Sequence, residues 1–114
     1  MQKNKLTGLA LPLGALYTKN NSVIGEFADL MPFADFCKTS GIQLIQLLPV
    51  NDTGTQSSPY SGLSAFALHP IYISLKQIPE FEKLIADDKK IAADYSNFIK
   101  ANSKKQRYDY QEIF

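Results

Sequence analysis

The feature that most constrains the fold is a run of aliphatic residues at 42–48, which begins directly after Gly41. Only Gln43 and Gln46 interrupt it, so the run does not alternate as a strand with one solvent-facing side would. A nearly continuous aliphatic strand is typical of a parallel sheet that is covered on both faces. The two glutamines fall on opposite faces of such a strand, so at least one is expected to need a buried hydrogen-bond partner.

The residues before this strand complete a βαβ unit. A short apolar run at 6–11 predicts a buried strand. A helix is predicted over 29–40, where apolar residues recur at helical spacing, with Asp29 as N-cap and Pro32 in the first turn. The order strand, helix, strand predicts an α/β fold in which a crossover helix joins two parallel strands.

A long polar loop follows the second strand and returns near Pro70. Loops that leave the C-terminal ends of parallel strands carry the chemistry of α/β folds. The loop holds Tyr60, Phe66 and His69 among small polar residues, which is not the composition of a disordered segment. We therefore expect a functional loop here, followed by a short extended segment at 71–75.

Beyond residue 79 the pattern becomes helical, and two apolar stripes are separated by charged residues: Phe81, Leu84 and Ile85, then Ile91, Tyr95, Phe98 and Ile99. A new apolar pattern starts at Tyr108 and stops at Phe114 without a helix-ending signal. Two parallel strands do not make a stable sheet alone. The sequence therefore predicts the N-terminal piece of something larger.

Charge and cysteine content exclude several function classes. The formal net charge is +1 and the longest basic run is Lys104-Lys105, so neither a nucleic-acid nor a membrane partner is expected. Cys37 is the one cysteine, which excludes a disulfide framework and argues against a zinc site. The N-terminal apolar run is interrupted by Pro12, which favours a strand over a signal peptide and hence a cytoplasmic location.

Two loop residues are candidates for ligand contact, each with an alternative role. Tyr60 offers a flat apolar surface and a hydroxyl, which suits stacking on a sugar ring, or it plugs the mouth of the fold. His69 either anchors the returning loop through a backbone bond or donates to a ligand hydroxyl. Asp52 lies between Asn51 and Thr53, a setting that favours a local turn over catalysis. No pair of acids in the chain is a persuasive candidate for a glycosidase site.

Three segments carry a family resemblance when they are taken together: NSVIGEFADLMPFADF at 21–36, LLPVNDTG at 47–54 and SSPYSGLSAFALHP at 57–70. They resemble the N-terminal part of the 4-α-glucanotransferases, the amylomaltase or disproportionating-enzyme family, glycoside hydrolase family 77. The resemblance covers residues 6–75 well and extends weakly to 108–110. In the common pattern an aromatic stands where this chain has Thr55, and Gly-Asn stands where it has Leu68-His69.

The resemblance implies an α/β fold that is the N-terminal portion of a (β/α)8 TIM barrel. Residues 1–78 would supply the first βαβ unit with the second βα loop, and 79–114 a truncated, inserted helical segment. The implied activity transfers α-1,4-glucan segments by a retaining double displacement, without a cofactor or metal ion, and its catalytic acids lie beyond Phe114. The implied partners are α-1,4-glucans (maltooligosaccharides, starch or glycogen) and the remainder of the barrel.

By the same resemblance, Tyr60 stacks on the donor sugar and Ser58 contacts glucan hydroxyls. With His69, these make three candidate substrate-binding residues. Two alternatives remain open: another barrel enzyme of the α-amylase clan, and a non-catalytic glucan-binding or interaction domain.

Overall fold

The computed structural model describes residues 4–19, 23–105 and 113. The described strands and α-helices are β1 (Gly8–Leu11), α1 (Leu30–Thr39), β2 (Leu44–Leu47), α2 (Pro79–Asp87) and α3 (Lys89–Asn102). Short 3-10 turns lie at Leu13–Ala15, Phe27–Asp29, Pro70–Tyr72 and Leu75–Gln77. The apolar pattern expected over 108–114 lies outside the described residues, apart from Ile113.

The predicted βαβ unit is confirmed, because β1 and β2 pair in parallel with α1 between them in the chain. The register runs from Gly8 opposite Leu44 to Leu11 opposite Leu47. Beyond the paired residues, the Leu48 N–H donates to the Leu11 carbonyl at 3.0 Å. The C-terminal ends of both strands therefore lie together, at the edge where the long loop begins.

The expectation of a buried glutamine is wrong. Gln43 and Gln46 are both exposed, and the Gln43 side-chain oxygen accepts a hydrogen bond from the exposed Thr7 N–H at 3.4 Å. Leu44, between them, is 52% exposed. The physical reason is that, within the described part of the chain, the two-stranded sheet leaves the face with Leu44 and Gln46 open, while Gln43 lies just before β2 begins.

The first helix begins where the sequence predicts, but the side chain of its N-cap residue bonds to residues that precede the helix. Asp29 occupies the N-cap position of α1 and makes no side-chain bond to that helix. Its carboxylate instead accepts hydrogen bonds from the Glu26 N–H at 2.8 Å and from the Thr18 hydroxyl. This buried carboxylate therefore organises the turn that precedes the helix rather than the helix itself.

The extended segment predicted at 71–75 is wrong at both ends, since Ile71 and Tyr72 belong to one 3-10 turn and Leu75 to the next. The backbone is extended at Ile73 and Ser74 between the two turns. Pro70 begins the first turn, and its fixed φ suits a helical start. The His69 ring nitrogen accepts a hydrogen bond from the Ile71 N–H and caps the turn. A proline and a side-chain cap thus outweigh the extended preference of the apolar residues that follow.

The core of the described chain lies beyond the C-terminal end of β1 and consists of buried Leu13, Leu16, Ile24 and Tyr72. The Phe27 ring meets Tyr72 edge to face, with centroids 5.8 Å apart. Tyr72 lies just after the long loop, so packing in this core fixes the position of the loop's returning end. The core therefore supports the candidate site directly.

Helices α2 and α3 match the two predicted apolar stripes. The Phe81 ring of α2 packs edge to face on Tyr95 of α3, with centroids 5.1 Å apart. Burial raises the pKa of the Tyr95 phenol, and the nearby Glu26 carboxylate raises it further.

In the part of the chain that the structure describes, no helix has the length and apolar character needed to cross a bilayer.

Candidate functional site

The loop after β2 closes on itself close to its base. Asn51 and Leu68 form an antiparallel bridge. Two backbone bonds flank the bridge: the His69 N–H donates to the Val50 carbonyl at 2.9 Å, and the Asp52 N–H donates to the Ala67 carbonyl at 2.8 Å. These bonds form a short stem, from which residues 53–66 extend.

Three further hydrogen bonds hold the backbone of the loop just beyond the stem. The Leu63 N–H donates to the Asp52 carbonyl at 2.7 Å. The Gly54 N–H donates to the Asp52 side chain at 2.8 Å, and the buried Thr53 hydroxyl donates to the Gln56 carbonyl at 2.7 Å. This geometry agrees with the local turn predicted for Asp52.

Tyr60 lies at the tip of the loop, on the turn from Ser58 to Ser61. The Ser61 N–H donates to the Ser58 carbonyl at 3.1 Å, and the Tyr60 N–H lies 3.4 Å from the Ser58 hydroxyl oxygen. The Tyr60 side chain is 72% exposed, and Ser58 is exposed beside it. The structure therefore brings these two predicted site residues together on one accessible surface.

His69 lies at the base of the loop rather than at its tip, and it is 1% exposed. Its Nδ1 accepts a hydrogen bond from the Ile71 N–H at 3.2 Å, so the ring proton resides on Nε2. Nε2 then donates to the Gly54 carbonyl at 3.2 Å and lies 4.0 Å from the Asp52 carboxylate. Of the two roles open for His69, this geometry favours the anchor.

The loop also presents large apolar side chains that the sequence did not single out for ligand contact. Phe66 is 95% exposed, and Leu63 and Leu68 are exposed as well. The Ser64 hydroxyl oxygen accepts from the N–H groups of Phe66 and Ala67, each at 3.1 Å, which fixes the backbone beside Phe66. The sequence shows only that these three side chains lie between turn residues, and this position does not distinguish an exposed side chain from a packed one.

The exposed surface of the loop combines flat apolar groups with hydroxyls. Such a surface suits a ligand whose faces are apolar and whose edges carry hydroxyl groups. Among the described residues, no group of three or more His, Cys, Asp or Glu side chains could hold a metal ion. The flat apolar groups and hydroxyls of the loop can bind and orient a neutral, hydroxylated molecule.

A separate apolar cleft of about 860 Å³ lies along β1 and α1. Its lining includes Leu9 and Leu11 of β1 and Phe33 and Phe36 of α1. Leu9 and Phe36 are exposed there. An apolar cleft of this kind on the side of a sheet is a surface that a further layer of structure can cover.

Comparison with known proteins gives a consistent result. Residues 11–114 match the family model described as 4-alpha-glucanotransferase. A 4-alpha-glucanotransferase of Chlamydia caviae is 47% identical over 77 residues, which is 68% of this chain and 14% of that protein. The protein of the same name from Chlamydia trachomatis is 44% identical over 84 residues, covering 74% of this chain and 16% of that protein.

A plant protein is also similar. The 4-alpha-glucanotransferase DPE2 of Oryza sativa is 40% identical over 78 residues, which is 64% of this chain and 8% of that protein. The chain thus spans about one sixth or less of the length of these relatives.

Proposed function

Since the chain belongs to the 4-alpha-glucanotransferase family, glycoside hydrolase family 77, we propose that the enzyme containing it transfers α-1,4-glucan segments. The proposed reaction is a retaining double displacement, in which a covalent glucosyl-enzyme passes its sugar to the 4-hydroxyl of another glucan. This segment supplies a sugar-binding loop, and the catalytic acids belong to other parts of the enzyme.

The acidic residues of this chain support the proposal that the catalytic acids lie elsewhere in the enzyme. Retaining chemistry needs two carboxyl groups about 5 Å apart across the scissile bond. Asp52 is bonded within its own turn, Asp29 is buried against Glu26 and Thr18, and Asp88 caps α3. Each of these carboxylates already serves local structure, so none is proposed as nucleophile or acid/base.

The observation that carries the proposal is the accessible Tyr60 ring on a braced loop at the C-terminal end of a parallel strand. We infer that this ring stacks on the donor sugar and that the Ser58 hydroxyl contacts a glucan hydroxyl. His69 supports the same site from the base of the loop.

The fold proposal follows from the same family membership. We propose that β1 and β2 are the first strands of a (β/α)8 barrel, with residues 1–78 in the barrel and 79–114 in an inserted helical segment. The apolar cleft along β1 and α1 is then covered by the remainder of the barrel. We also propose that the enzyme works in the cytoplasm.

The test uses the complete enzyme with maltotriose as substrate. Tyr60→Ala should lower the rate of transfer by about 10- to 100-fold, because it removes a stacking surface and a positioning contact. Tyr60→Phe is the matched control, since it keeps the ring and should retain most of the activity. An unchanged rate for Tyr60→Ala would return this residue to a purely structural role.

The alternatives are separated by the products. A 4-alpha-glucanotransferase releases glucose and forms longer maltooligosaccharides from maltotriose, whereas a hydrolysing barrel enzyme gives shorter products alone. A non-catalytic glucan-binding domain gives neither. Failure of the complete enzyme to form products longer than maltotriose would contradict the proposed function.

A further inference from the structure

The His69 ring joins two parts of the chain that are fifteen residues apart. On one side it caps the 3-10 turn Pro70–Tyr72, which is held in place by the core through Tyr72. On the other side Nε2 holds the Gly54 carbonyl. The imidazole is a rigid planar spacer, so it fixes the distance between the supported turn and the start of the loop tip.

Both the N–H and the carbonyl of Gly54 are held by hydrogen bonds to side chains. The Asp52 side chain accepts the Gly54 N–H at 2.8 Å, while His69 binds its carbonyl at 3.2 Å. Gly54 has a φ of +56°, in the left-handed region that favours glycine. His69 and Asp52 therefore act together to hold this glycine in the left-handed region.

Gly54 also lies beside Leu63, the residue that follows the loop tip. A Cβ built on Gly54 would lie 2.9 Å from the Leu63 side chain, so Leu63 packs directly against this glycine. The Leu63 N–H is bonded to the Asp52 carbonyl. Residues 55–62, which carry Tyr60, thus leave and rejoin the loop at a single braced position.

We propose that His69 is a positioning residue of the enzyme, which sets the place of the Tyr60 ring by holding Gly54. This inference rests on the proposed function, because it gives His69 its effect through the sugar-stacking role of Tyr60. The residue acts at a distance and does not touch the substrate.

Two substitutions in the complete enzyme separate the two bonds of the ring. His69→Asn places an amide oxygen near the position of Nδ1 and can still cap Ile71, but it is too short to reach Gly54. His69→Gln extends an amide N–H toward the position of Nε2 and can still donate to Gly54, but it leaves the Ile71 N–H unpaired. The pair therefore isolates the bond to Gly54 from the cap.

We expect the activity order and the stability order of these variants to be opposite. His69→Asn should lower kcat for maltotriose transfer by about 10-fold, because a loosened Tyr60 loses its alignment. His69→Gln should melt at a lower temperature than His69→Asn, because the partly buried Ile71 N–H loses its acceptor, yet should stay within about 3-fold of the unmodified rate. Activity that simply follows melting temperature would overturn the proposal.

A double substitution tests whether the effect passes through Tyr60. In the Tyr60→Ala enzyme, adding His69→Asn should change the rate by less than about 2-fold, because coupled residues are not additive. A full 10-fold loss in both backgrounds would overturn the positioning role. If Tyr60→Ala lowers the rate and His69→Asn does not, the positioning role fails and the sugar-stacking role stands. If Tyr60→Ala has no effect, both roles fail.

Discussion

At the residue scale, Gly25 lies where two backbone segments approach each other too closely for a side chain. A Cβ at this position would lie 2.2 Å from the Leu13 carbonyl oxygen, and the Gly25 N–H donates to the Gly14 carbonyl at 3.1 Å. Neither neighbour is the flexible end of a side chain, so neither can move aside cheaply. We predict that Gly25→Ala lowers the free energy of unfolding of the complete enzyme by about 3 kcal/mol or more.

Gly41→Ala is the matched control for this substitution. Gly41 has a φ of +76° and open space where a Cβ would lie. It should cost about 1–2 kcal/mol, from backbone strain alone. Midpoints of chemical unfolding give the order, and an equal loss for the two variants would show that Leu13 and Gly14 can move away from residue 25.

The same scale shows what a sequence can and cannot predict about the site. Tyr60 between Pro59 and Ser61 was identifiable as a loop residue, because prolines and serines at such spacing favour turns. The role of His69 stayed open, because it depends on which atoms its two nitrogens reach. One of those atoms belongs to Gly54, fifteen residues earlier, and no local pattern places it there.

At the element scale, Asp88 starts α3. Its carboxylate accepts hydrogen bonds from the Lys90 N–H at 2.8 Å and the Ile91 N–H at 3.2 Å. We predict that Asp88→Ala destabilises the first turn of α3 by about 1 kcal/mol, because those donors lose their partner. Amide hydrogen exchange at Lys90 and Ile91 should become faster in the variant.

Asp87→Ala provides the comparison, because Asp87 ends α2 and an acid is unfavourable at a helix C-terminus. It should leave exchange in α3 unchanged. Equal acceleration in the two variants would mean that general surface charge, and not the cap, sets the stability of this turn.

Helix prediction succeeded where periodicity extended over several turns. The stripes through α2 and α3 repeat at helical spacing, and so do the apolar residues of α1. Residues 71–75 were harder, because a five-residue run with four apolar side chains fits an extended segment equally well. The 3-10 turn at Pro70–Tyr72 depends on Pro70 and on the cap from His69, a contact that the hydrophobic pattern does not report.

At the scale of the whole molecule, few large side chains are buried within the described residues. Leu13, Leu16, Ile24 and Tyr72 are buried, whereas Leu6, Met31, Phe36 and Leu44 are more than half exposed. We predict that residues 1–114 expressed alone unfold without a sharp cooperative transition and bind a hydrophobic dye, because apolar area left in water stabilises nothing.

Differential scanning calorimetry and dye fluorescence measure the two properties. The complete enzyme serves as the reference and should show a sharp transition with little dye binding. A sharp melting transition of 1–114 as a monomer would contradict both this prediction and the proposal that a larger barrel covers these surfaces.

The bonds at the base of the loop have a consequence for engineering. Because the Asn51–Leu68 bridge and the Asp52–Leu63 bond close the segment before it reaches β2, changes at its far end should not propagate into the sheet. The segment is in effect a cassette: residues 55–62 could be lengthened, shortened or exchanged to alter ligand preference while the scaffold below keeps its shape.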